Sequence, residues 1–112
     1  MAAPAGLAAW FGFVVLQPAA EELAFRGVLQ GWLLRRDAAR RWGLVTRANV
    51  FTSVAFASLH LPWQPVGWAF AVLAPSLLLG HLRERQGSVL PCVALHAVYN
   101  AGFACVAWWL HG

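Results

Sequence analysis

"PAAEELAFRG", residues 18–27, interrupts an otherwise apolar stretch that runs from Leu7 to Leu34. Two glutamates and an arginine there would cost about 8–10 kcal/mol near a bilayer centre if nothing compensated them. Of the 112 residues, 61% are hydrophobic and only 11% charged, whereas soluble domains carry about 25% charged residues. A water-soluble core of this size would have too much apolar surface to hide. The solvent is therefore read as lipid, and the ionised groups must be compensated inside a bundle.

Four apolar runs are marked out: about Leu7 to Leu34, Ala48 to Leu61, Val66 to Leu82, and Val89 to Leu110. Only the first and last comfortably reach the roughly 20 residues of a perpendicular span, and the second is short for a crossing. Strands are not expected, because an open sheet edge cannot be left in lipid and four segments cannot close a barrel. The fold class expected is all-α, a multi-pass transmembrane helix bundle of about four spans, forming one domain over residues 1–112. "RRDAARRWG", "LPWQP" and "RERQG" separate the runs, with Pro62, Pro65, Gly43 and Gly87 marking turns. The first run is long for one straight crossing, so tilt or a kink at Pro18 is expected. It lacks a basic leader and a small-residue cleavage site, and is read as retained.

All eight basic residues are arginine, and five of them (Arg35, Arg36, Arg40, Arg41, Arg47) fall in one short segment. That pattern reads as a juxtamembrane loop rather than a nucleic-acid surface. Loops 35–47 and 83–85 are two helices apart, so both face one side, the cytoplasm by arginine bias, with both termini outside. Trp42, Trp63, Trp68, Trp108 and Trp109 lie near run ends as interfacial anchors would. Cys92 and Cys105 share the last run and are read as buried free thiols.

The polar residues inside the runs carry the chemistry. Glu22 and Arg26 are four apart in the favourable order, so Arg26 neutralises Glu22. Glu21 points about 100° away from Glu22 and is left without a partner on its own helix. In run two, Asn49, Ser53, Phe56 and His60 make one stripe at i, i+4, i+7, i+11. In run four, His96 and Asn100 share a face, with Tyr99 beside them. Depth supplies an independent check. Glu21 lies 14 residues before Arg35, His60 lies 13 after Arg47, and Asn100 lies 13 after Gly87. At about 1.5 Å per residue, all three reach one level roughly 20 Å from the arginine-rich boundary. Taken singly, these residues have plainer readings. Glu22 with Arg26 is a helix clamp, Phe56 is lining or core, and Tyr99 is core. Asn49 and Ser53 pack and hydrogen-bond, and His81 and His111 sit at span ends. Glu21, His60, His96 and Asn100 together are different, because burying all four argues for use.

In this order, "EELAFR", "FASLH" and "HAVYN" resemble the EExxxR, FxxxH and HxxxN motifs of the CPBP family. These are the CAAX prenyl endopeptidases and their bacteriocin-processing (ABI) relatives, glutamic-type intramembrane proteases. Each motif alone is weak; the ordered triple covers residues 21–100. The resemblance implies a membrane endopeptidase in which Glu21 and His60 activate a water and His96 and Asn100 form the oxyanion hole. Glu22 and Arg26 would hold the architecture, with Phe56 and Tyr99 around the site. Burial makes a carboxylate a better general base near neutrality, and an amide with an imidazole can stabilise an oxyanion. Ser58 is two residues from His60, on a diverging face, so no serine nucleophile is expected.

No cofactor is expected. Zinc is the alternative, since two His and two Glu could coordinate it, although HExxH is absent and Arg26 would repel a dication. Other classes remain beside these: a bacteriocin-immunity or interaction module of the same fold, or a proton-relaying transporter or channel subunit. The expected partners are the lipid bilayer and a membrane-associated protein or peptide, such as a sorting tail or bacteriocin precursor, with no nucleic acid. Only about twenty residues precede the first motif, where family members usually carry more spans. That leaves room for partner helices or a second copy. Abundant Ala, Arg and Trp without lysine suggest a bacterial inner-membrane source.

Overall fold

The computed structural model describes residues 4–36 and 40–111. Asp37 to Ala39, in the centre of the expected arginine-rich loop, lie outside the described residues. Among those described, four helical rods form the bundle, and a short hairpin joins the first two.

The first rod, α1, runs without a break from Gly6 to Arg35. It is not uniform. The α-helical segments Gly6–Phe11, Gln17–Glu22 and Gln30–Arg35 alternate with wider i→i+5 turns over Gly12–Leu16 and Leu23–Leu29. Pro18 sits buried at the start of the middle α-helical segment. Wide turns lie on either side of that segment: Gln17 N–H bonds Gly12 O and Gln30 N–H bonds Phe25 O. A proline lacks an N–H, and widening the turn is one way to re-register the ladder around that loss.

Strands β1 (Arg41–Trp42) and β2 (Val45–Thr46) pair antiparallel across Gly43, whose φ of 71° only glycine adopts easily. The exclusion of strands fails in this loop, where the edge groups need not face lipid. Helix α2 (Arg47–Ser58) starts at a Thr46 cap, whose hydroxyl accepts from Asn49 N–H at 3.0 Å. It ends two residues earlier than the stripe reading required. His60 lies in the turn that Pro62 and Pro65 enforce, not on a helix. Helix α3 (Val66–Gln86) is longer than the third run suggested, reaching 21 residues. Gly87, at φ 68°, closes it, and α4 (Leu90–His111) returns. Both α3 and α4 are long and apolar enough to cross a membrane.

Contacts give the directions. Arg26 meets Ser76 and Gln30 meets Gly80, so residue numbers rise together and α1 runs parallel to α3. Glu22 meets His96 and Phe13 meets Asn100, so α1 and α4 are antiparallel. The packing inverts that of a soluble protein. The fully buried side chains include Arg26, Gln30, Glu22, Asn49, Thr52 and Ser53, while Leu7, Val28, Phe70 and Trp109 are exposed. Only a lipid solvent makes that distribution favourable. Helices α2 and α3 approach closely at Gly80, where a Cβ would overlap the Asn49 amide. Asn49 donates to Leu77 O at 2.9 Å and accepts from Ser53 Oγ at 3.1 Å. Cys92 is buried as expected, but Cys105 is exposed, because it sits on the outer face of α4.

Candidate active site

A cavity of about 500 Å³ opens between the helices, and Glu21, Phe56, His60, His96, Tyr99 and Asn100 all line it. Glu21 comes from the middle α-helical segment of α1, His60 from the turn after α2, and the other polar groups from α4. Glu21 is half-buried, and the imidazoles of both His60 and His96 line the same cavity.

Phe56 organises the two imidazoles. Its ring centroid is 5.3 Å from that of His60 and 5.8 Å from that of His96, edge-on to both, and Phe25 meets it at 5.2 Å. The Arg26 guanidinium lies 5.1 Å from the same centroid. His60 Nδ1 is 3.2 Å from Phe56 O. An Nδ1–H donating to that carbonyl leaves the Nε2 lone pair uncommitted.

Glu22 faces the other way. It is fully buried, with Oε2 at 2.8 Å from His96 Nδ1 and Oε1 at 3.4 Å from Arg26 Nε. Arg26 also donates to Ser76 O at 2.6 Å and to the Ser76 hydroxyl. The expected Glu22–Arg26 clamp is therefore a four-residue network that also grips one ring nitrogen of His96. Asn100 is partly committed, since its amide donates to Phe13 O at 2.9 Å and holds α4 to α1. One amide N–H remains for another acceptor. Tyr99 is half-buried on the cavity wall rather than in the core. Trp68, near the start of α3, packs on Phe103 with ring centroids 5.0 Å apart and lines the same cavity. No three His, Cys, Asp or Glu side chains among the described residues are grouped to hold a metal ion.

The model of the family described as type II CAAX prenyl endopeptidase Rce1-like matches residues 3–102. The chain belongs to that family. No curated protein and no solved structure matches it. The Rce1-like family is a protease family, and this member is an all-α membrane helix bundle.

Sequence reasoning missed several residues that line or support the cavity of this Rce1-like protein. Gln17, one turn before Glu21, and Gln64, in the turn after His60, both line the cavity. The i, i+4 spacing of Gln17 from Glu21 was the available signal. Ser76 and Gln30 were also missed. Gln30 completes the stripe Glu22, Arg26, Gln30, donating to Gly80 O at 3.1 Å and to Glu84 Oε2 at 2.6 Å. Thr46 donates to the same Glu84 oxygen at 2.6 Å.

Proposed function

We propose that this chain is a glutamic-type intramembrane endopeptidase that hydrolyses a peptide bond in a membrane-associated protein or peptide. One observation carries the reading: Glu21, His60, His96 and Asn100, from three separate segments, line a single cavity within the bundle. A water held between the Glu21 carboxylate and His60 Nε2 gives its proton to Glu21, and its oxygen attacks the scissile carbonyl. The negative charge that develops on the carbonyl oxygen is met by His96 Nε2–H and the uncommitted Asn100 N–H. For this, His96 carries protons on both ring nitrogens, and Glu22 accepts the one on Nδ1. The tetrahedral intermediate collapses as the C–N bond breaks. The proton held by Glu21 passes to the leaving amine, and the second proton of the water stays on the new carboxyl group until it ionises, giving a carboxylate and an ammonium group.

Glu22 and Arg26 act by position: they fix the ring of His96 from behind. The mechanism uses no metal. In support, Glu22 is already shared between Arg26 and His96, and a guanidinium in that position opposes a dication. Strong chelators then leave cleavage by the purified protein unchanged; loss on chelation with recovery on added zinc contradicts this part of the reading. The apolar wall of Val72, Trp68 and Phe103 suits an apolar segment of the substrate. The membrane is a bacterial inner membrane crossed several times, with loops 35–47 and 83–85 cytoplasmic. The test is substrate trapping. The Glu21→Gln chain, expressed in the native host, accumulates uncut a membrane-associated polypeptide that the unsubstituted protein cleaves in purified form. If none accumulates, and the purified protein cuts no membrane polypeptide, the chain is a non-catalytic module.

A further inference from the structure

At the arginine-rich end, Gly31 of α1 is buried beneath two guanidinium groups. The position a Cβ would occupy there lies 3.6 Å from Arg35 Nη1 and 3.8 Å from Arg83 Nη2. Arg35 belongs to the end of α1 and Arg83 to the last turns of α3, so two helices aim cations at one point. Like charges this close repel unless they share an anion. The chain has four carboxylates. Glu21 and Glu22 belong to the cavity region, Glu84 accepts from Gln30 and Thr46, and Asp37 lies outside the described residues. Among the described residues, neither arginine forms an ion pair with a carboxylate.

The pair is also held in place. Arg83 Nε donates to the Arg26 carbonyl at 3.1 Å, which fixes the direction of its outer nitrogens. That carbonyl lies within the wide turn Leu23–Leu29. The setting matches a membrane interface. The Arg36 guanidinium lies 4.8 Å from the Trp32 ring and that of Arg47 5.5 Å from Trp42, and both tryptophans are exposed. Val28, Trp32 and Arg35 follow one another at i, i+4, i+7, so an exposed apolar strip on α1 leads up to the cations.

We propose that Arg35 and Arg83 clamp the phosphodiester of an anionic membrane lipid, with an acyl chain lying along Val28 and Trp32. Paired guanidiniums match phosphate oxygens in geometry as well as charge. The test uses the purified full chain in zwitterionic detergent, with thermal unfolding followed against phosphatidylglycerol, phosphatidylcholine or inorganic phosphate. Phosphatidylglycerol stabilises saturably and the other two do not. Arg35→Gln and Arg83→Gln each weaken the apparent affinity for phosphatidylglycerol about tenfold. Arg85→Gln, which removes the same charge at an exposed site, changes it by less than about twofold. The Arg35 side chain makes no hydrogen bond among the described residues, so Arg35→Gln decides the matter if Arg83→Gln fails to fold. Equal weakening by Arg85→Gln, equal stabilisation by phosphatidylcholine, or equal stabilisation by inorganic phosphate at the same concentration overturns the clamp.

Discussion

One peptide bond separates the Glu21 carboxylate, half-buried on the cavity wall, from that of Glu22, fully buried between Arg26 and His96. The chemical group is the same, and the 100° step of the helix sends the two into different environments. On one side is the cavity of about 500 Å³. On the other is a network in which one Glu22 oxygen meets His96 Nδ1 and Arg26, beside Glu22, donates to Ser76. The contrast separates an acid enclosed between charged partners from a neighbouring acid that faces a cavity.

Removing the partnered acid should do the greater damage to the fold. Glu22→Leu leaves Arg26 buried without its carboxylate and should destabilise the bundle by about 3–5 kcal/mol, read by thermal unfolding in detergent. Replacing Arg26 by Met in the same chain should recover part of that loss, since an apolar pair no longer buries a lone charge. A Glu22→Leu protein as stable as the unsubstituted one would erase the distinction between the two glutamates.

On the cavity side the damage should fall on turnover. Asn100→Ala should lower kcat by about 10²–10³-fold with KM little changed, since the lost donor acts on charge that develops in the transition state. The bond to Phe13 O is lost as well, so the melting temperature is recorded alongside to separate the two effects. A smaller effect, on packing alone, is expected where α2 meets α3. Gly80→Ala should cost about 1–3 kcal/mol, because its Cβ overlaps the Asn49 amide. Combining it with Asn49→Ala should cost less than the sum of the single changes, a coupling a double-mutant cycle measures.

The helix count and the four-way polar constellation were legible because the intramembrane environment makes each polar residue conspicuous. Spacing alone tied Glu22 to Arg26 and put His96 beside Asn100. The wide turns of α1 were not legible, since hydrogen-bond register leaves no mark in hydropathy. The end of α2 was misjudged because Leu59 and Leu61 extend the apolar pattern through a turn that Pro62 and Pro65 dictate. The polar seam between α1 and α3 was half visible. Glu22, Arg26 and Gln30 follow one stripe, as do Ser76, Gly80 and Glu84, but their facing register depends on parallel packing that only the assembled bundle defines. The packing of Trp68 on Phe103 was not legible, because proximity to a span end does not define the direction of a ring.

The most direct measurement compares Glu21→Gln with the unsubstituted protein, following cleavage of the trapped substrate and thermal unfolding on the same samples. The substitution keeps shape and hydrogen bonding while removing the base. Cleavage should fall by at least about 10²-fold, with the melting temperature within about 2 °C. Cleavage at the unsubstituted rate by a folded Glu21→Gln protein would contradict the account.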